Sequence, residues 1–119
     1  MPLLPPSEIR SVTGVSAEQI VQMRSFLQGA VYCWVKNRSD EQFALRDLVG
    51  GENFEWSGTP LYPLFEKHSL QGKNDPSAVA AAAKDAGWLL KAVLNDDKGT
   101  FIVGDAGLAN GYRWVGNEP

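Results

Sequence analysis

The sequence predicts a single α+β domain, in which a helical core is followed by a C-terminal β-hairpin. Three observations support this prediction. A capping box opens one long segment of helical apolar spacing, an Asp-Pro pair opens another, and two β-type runs end the chain. At 119 residues, the chain is long enough for one hydrophobic core and too short for two.

The first long helix is predicted from about residue 17 to residue 36. Ser16 and Gln19 form an S-x-x-Q capping box, in which each side chain bonds the other residue's backbone amide. Apolar residues then recur at steps of three and four, which predicts one buried face: Ile20, Met23, Leu27, Ala30, Val31 and Trp34. The proline-rich residues 1–15 are predicted as a loose arm, so that the domain comprises residues 16–119.

Three short elements are predicted after this helix. Residues 42–44 favour a strand-like bridge, and residues 45–49 favour a short helix that stops at Gly50. Thr59 and Pro60 have the pattern of an N-cap followed by proline, which predicts a third helix.

A second long helix is predicted from about residue 76 to residue 94, after an Asp75 cap. Its predicted buried residues are Val79, Ala83, Ala86, Leu90 and Val93. Residues 100–103 and 112–115 then form a hairpin around the glycine-rich GDAGLANG. The helices should share one core that contains Leu27, Val31, Trp34, Leu45, Leu48, Leu64, Val79, Ala83 and Leu90.

This order of elements resembles the winged-helix form of the helix-turn-helix over about residues 17 to 116. The resemblance is one of topology and includes no diagnostic motif. It implies that helix 76–94 contains the element that such domains place in the DNA major groove, and that residues 104–111 form the wing tip. It also implies a homodimer as one assembly, with the first helix as the contact face.

Composition excludes several classes of protein. The net charge of −3 argues against non-specific coating of nucleic acid, which requires many lysines and arginines. The single cysteine excludes an internal disulfide and fits a reducing compartment, so we expect a cytoplasmic protein. Because no segment approaches the roughly 20 apolar residues of a membrane span, no membrane association is expected.

No catalytic residue, cofactor or metal site is expected. Cys33 and His68 are too isolated to form a zinc site, and the pair Asp96 and Asp97 is typical of a solvated loop. We expect Cys33 to be a small packed residue and His68 to be a surface cation at a helix end. Neither LQGKND nor GDAGLANG has the context of a phosphate-binding loop.

A binding surface is the remaining candidate for function. Basic residues precede and follow the second long helix or lie on it, with one tryptophan among them. The predicted contact residues are Lys67, Lys73, Lys84, Trp88, Lys91 and Arg113. We therefore expect a non-catalytic regulatory module of one of two classes. The first is a module that binds nucleic acid, DNA above all, and the alternative is an adaptor that binds another protein.

Trp88 has two alternative explanations. Helical geometry places it between Lys84 and Lys91, opposite the predicted buried face. A neighbouring element could cover the indole, or Gly87 could bend the helix and turn it inward. Alternatively, the indole is exposed and stacks on a base or anchors a partner.

Overall fold

A computed structural model of the chain describes residues 3–4, 8–39, 41–50, 55–104 and 111–117. Within these ranges the protein is an α+β fold with a helical core and a C-terminal hairpin, which confirms the predicted fold class. The elements in chain order are β1 (Leu3–Leu4), α1 (Ala17–Asn37), α2 (Leu45–Val49), α3 (Tyr62–Leu70), α4 (Asp75–Asp96), β2 (Gly99–Gly104) and β3 (Gly111–Asn117).

Helix α1 begins at the predicted capping box. The Gln19 amide donates to Ser16 Oγ at 3.1 Å, and the Ser16 amide donates to Gln19 Oε1 at 2.9 Å. These reciprocal bonds satisfy two amides that the first helical turn leaves without partners. The face that the apolar spacing predicts is buried at Met23, Leu27 and Val31.

The bridge and the hairpin are also confirmed. Strands β2 and β3 pair antiparallel, with Ile102 opposite Arg113. Of the predicted wing tip at 104–111, residues 105–110 lie outside the described residues. Phe43 pairs with Tyr112 through two backbone hydrogen bonds of 2.7 Å. The short helix α2 therefore begins directly beside the hairpin, and it ends at Gly50, whose φ of 101° is readily adopted by glycine alone.

The N-terminal residues are less loose than the sequence predicts. Leu3 is fully buried and pairs in parallel with Phe101, so that β1 is an edge strand of the sheet. Val12 is also part of the core. Two residues between prolines carry too little local pattern to predict a strand, because their pairing is made by a partner about a hundred positions away in the chain.

Helix α4 is rotated relative to the prediction. Its N-cap is Asn74, whose side chain accepts from the Ser77 amide at 3.0 Å, and not Asp75. Val79 and Ala83 are exposed, which corrects their predicted burial. The buried residues are Ala78, Ala82, Ala86, Leu89, Leu90, Val93 and Leu94. The alanine-rich sequence satisfies helical spacing in more than one rotation, so only the packing of α4 against α1 and α3 selects the buried face.

Other core predictions hold in part. Leu64 and Leu90 join Leu27 and Val31 in the core, and Trp34, Leu45 and Leu48 pack against it while partly exposed. Helix α3 begins at Tyr62, later than predicted, because residues 59–61 form a turn in which Thr59 Oγ1 accepts from the Leu61 amide at 3.3 Å. No helix in the described ranges combines the length and apolarity needed to cross a membrane.

Candidate functional site

A groove of about 450 Å³ lies between α2 and α4, next to the hairpin. Backbone pairing of Phe43 with Tyr112 fixes the start of α2 on one side, and α4 forms the other side. The residues of its floor are small or apolar: Ala44, Leu45, Ala83, Gly87 and Leu90. Gly87 has no heavy atom of another element within 4 Å of the position that a Cβ would take, so the groove is open above it.

The charged residues that line the groove, within the part of the chain that the structure describes, are all cations. They are Arg46 of α2 and Lys84 and Lys91 of α4. None of the described lining residues is acidic, although the chain as a whole carries more acidic than basic residues. Cations around a low-dielectric floor concentrate positive potential, which attracts anionic groups.

Trp88 lines the groove beside two cations. Lys91 Nζ lies 5.0 Å from the indole centroid and the Arg10 guanidinium carbon lies 5.1 Å from it, within the range of cation–π attraction. The indole is half-buried and packs against the core cluster, and α4 continues through Gly87 without interruption. Trp88 therefore contacts the core with one part of its side chain and the groove with another.

Tyr112 closes the groove at the hairpin. Burial raises the pKa of its phenol to about 12, since desolvation disfavours the phenolate. Tyr112 thus supplies a largely buried aromatic side chain at the hairpin end of the groove.

The six predicted contact residues divide into two sets. Lys84, Trp88 and Lys91 follow one side of α4 at steps of four and three, and the structure brings all three to the groove. Lys73 lies in the loop before α4, and its Nζ donates to Gln71 Oε1 at 3.1 Å. It is not a lining residue.

Arg113 and Lys67 also lie away from the groove. Arg113 follows the buried Tyr112 on β3 and is exposed, so alternation along the strand places it on the opposite face of the sheet. Lys67 is largely buried, and its Nζ lies 2.9 Å from Asp85 Oδ2. It also donates to the backbone carbonyl of Thr13.

His68 belongs to the same largely buried cluster as Lys67 and Asp85. Its Nε2 lies 2.8 Å from Asp85 Oδ2, while its Nδ1 is buried without a hydrogen-bond partner among the described residues. His68 lies in the last turn of α3, as predicted, but its side chain is only 14% exposed, so the expected surface position is wrong. Reading α3 and α4 as an antiparallel pair would have brought these residues together, because only the short loop from Gln71 to Asn74 joins the two helices.

Sequence reasoning missed Arg46 and Arg10. Both lie far from the lysines in sequence. The predicted bridge, which brings α2 to the hairpin, was a signal for Arg46, whereas no sequence signal indicated Arg10. The prediction for Cys33 is also wrong, since its side chain is exposed on α1. In the described part of the chain, no three His, Cys, Asp or Glu residues lie close enough together to hold a metal ion.

Comparison of the chain with protein-family models, with curated proteins and with solved structures gives no match. Fold and site together define a small α+β domain with a basic, apolar-floored groove between α2 and α4. We call this feature the α2–α4 groove.

Proposed function

We propose that this protein is a non-catalytic adaptor module, which binds an acidic peptide segment of a partner protein in the α2–α4 groove. The observation that carries the proposal is the combination of an apolar floor with charged groups that, among the described lining residues, are all cations. An apolar side chain of the partner would enter above Ala83 and Gly87. Carboxylates on either side of that side chain would meet Lys84 and Lys91.

The size and shape of the groove support a peptide ligand. Its volume of about 450 Å³ lies within the roughly 300–1,000 Å³ of ligand-binding pockets. Binding energy at protein interfaces is concentrated in a few apolar or aromatic anchors that fill such concave sites. Trp88 supplies the aromatic wall, and the small side chain at position 83 leaves room for the anchor.

Nucleic acid is the second candidate, favoured by the position of Trp88 between two lysines on a helix beside the hairpin. Base stacking on an aromatic ring with lysines nearby is a common mode of single-strand binding. However, Lys67 is paired internally and Arg113 lies on the other sheet face, so few predicted phosphate contacts converge. Nucleic-acid binding depends chiefly on many such contacts, and the geometry therefore favours the acidic peptide.

A synthetic array tests the proposal. Its peptides contain several Asp or Glu residues and one Leu, Phe or Trp, and matched peptides replace the acids by Asn and Gln. We expect the acidic apolar members to bind, and titration of the tightest one should show affinity that falls moderately with salt. Single-stranded and duplex DNA of mixed sequence are titrated in parallel.

Two variants assign the binding to the groove. Lys84→Gln/Lys91→Gln removes two lining cations, and Lys73→Gln/Lys98→Gln removes two exposed loop lysines as a control for net charge. The first should weaken peptide binding about tenfold or more, and the control should change it less than about threefold. Ala83→Leu should block the anchor by filling the floor. The adaptor proposal would be refuted if no acidic peptide binds, or if both double variants lose peptide affinity equally. Binding of DNA that is tighter than binding of any peptide would favour the second candidate.

A further inference from the structure

Residues 8–15, which we call the N-terminal strap, precede α1 in the chain and contact α3. Val12 is buried in the core cluster, and the Thr13 carbonyl accepts a hydrogen bond from Lys67 of α3. Gly14 has φ of 82°, and a Cβ there would lie 3.0 Å from Lys67 Cδ. The strap is therefore fixed directly over the Lys67 side chain.

Lys67 is itself held in place. Its Nζ lies 2.9 Å from Asp85 Oδ2, and the two side chains are only 13% and 21% exposed. His68 contacts the same carboxylate oxygen at 2.8 Å. A lysine that is desolvated and paired in this way is costly to move, because its charge would lose its partner.

The strap carries Arg10 to the edge of the groove. The Arg10 guanidinium carbon lies 5.1 Å from the centroid of Trp88, which itself lines the groove. Arg10 pairs with Glu8 at 3.2 Å, but both side chains are at least 60% exposed, so this pair is weak. A carboxylate from outside can replace Glu8 at the guanidinium.

We propose that Arg10 is a fourth cation of the α2–α4 groove, which binds a carboxylate of the acidic partner peptide, and that Lys67 and Asp85 are the residues that position it. The inference rests on the proposed adaptor function. A guanidinium suits this role because it stacks on an indole and still offers two parallel N–H donors to a carboxylate. Lys67, which the sequence suggests as a contact residue, acts on the ligand only through the strap.

A double-mutant cycle tests the inference with the tightest acidic peptide of the array. Arg10→Ala should weaken binding about three- to tenfold, and Lys67→Met should do the same although it lies outside the groove. In the Arg10→Ala background, Lys67→Met should have no further effect. Lys73→Met, which removes an equal charge from an exposed loop, is the matched control and should leave affinity nearly unchanged.

NMR of the ligand-free protein gives a second readout. The Arg10 side-chain protons should show a ring-current shift from Trp88, and Lys67→Met should abolish that shift while Lys73→Met retains it. Should Lys67→Met fail to fold, Asp85→Asn, which keeps Lys67 but removes its carboxylate, serves in both measurements with the same expected results.

The outcomes separate the two proposals. If the wild-type protein binds no acidic peptide, the adaptor function is refuted and this inference with it. If the wild-type protein binds and Arg10→Ala binds equally well, the inference alone is refuted. Equal losses from Lys67→Met with and without Arg10 would also refute it, since Lys67 would then act independently of Arg10.

Discussion

Lys67 Nζ and Asp85 Oδ2 lie 2.9 Å apart and join α3 to α4 in a largely buried ion pair. Because His68 contacts the same oxygen, one carboxylate holds two side chains of α3. The pair also fixes the strap through Thr13. A single aspartate on α4 thus connects the helical core to the segment that carries Arg10.

Asp85→Ala should destabilise the fold by about 1.5–3 kcal/mol, the range for hydrogen bonds to charged groups, because it leaves Lys67 desolvated without its counter-ion. Urea denaturation at neutral pH measures this loss. Asp96→Ala is the control, since Asp96 pairs with Arg24 at 2.5 Å in a far more exposed setting, and it should cost under about 1 kcal/mol. Equal costs would show that the buried cluster adds no special stability.

Most elements of the fold were predictable because their signals are local. The capping box at Ser16, the glycine stop at Gly50 and the β-type runs of the hairpin each depend on a few neighbouring residues. The rotation of α4 was not predictable, because alanine fits both the buried and the exposed side of a helix. Strand β1 was missed for a different reason, since its pairing with β2 is wholly non-local.

The same distinction applies to the candidate site. Lys84, Trp88 and Lys91 share one side of α4 by helical geometry alone, and they reach the groove together. Lys67 is not available to a ligand because it pairs with Asp85 on the neighbouring helix. This pairing depends on tertiary structure and could not be predicted from local sequence. Arg10 is the extreme case, because only the path of the strap brings it to Trp88.

The free energy of unfolding should fall at alkaline pH because of Tyr112. Its pKa is raised from 10.0 to about 12 in the fold, so the folded state keeps a proton that the unfolded state loses. The contribution of the Tyr112 phenol to the free energy of unfolding is therefore fully present below pH 10. It is lost as the pH rises towards 12, and the loss is no more than about 3 kcal/mol. Urea denaturation from pH 9 to pH 11 measures the effect, and Tyr112→Phe should lose less stability than the wild-type protein over this range. Parallel pH profiles would contradict the raised pKa.

Cys33 should react with thiol reagents in the folded protein. It is exposed on α1, and it is the chain's sole cysteine, so the measured modification belongs to one site. We expect the rate without denaturant to be within about tenfold of the rate in urea, and Cys33→Ser should show no reaction. Strong protection in a dilute native sample would mean that another surface covers this face of α1, as a homodimer would.

Leu27 and Val21 lie on different faces of α1, one buried and one exposed, and should differ sharply in their contributions to stability. Leu27 is fully buried, so Leu27→Ala should cost about 2–5 kcal/mol through lost burial and a residual cavity. Val21 is 63% exposed, and Val21→Ala should change stability by less than about 0.5 kcal/mol. Urea denaturation of both variants under one condition tests this, and similar losses would contradict the described orientation of α1.

Trp88 should contribute to stability and binding in separable amounts, because part of its ring packs on the core and part lines the groove. Trp88→Ala should lower the free energy of unfolding by about 1–2 kcal/mol, which is less than the loss for a fully buried aromatic residue. It should also weaken binding of the acidic peptide by more than about tenfold. Trp88→Phe keeps an aromatic face for Lys91 and Arg10 and should recover much of the affinity. Trp88→Leu retains apolar bulk without a π face, so it should recover stability but not binding. If the leucine variant binds as well as the phenylalanine variant, Trp88 acts through bulk alone and the aromatic part of the site is refuted.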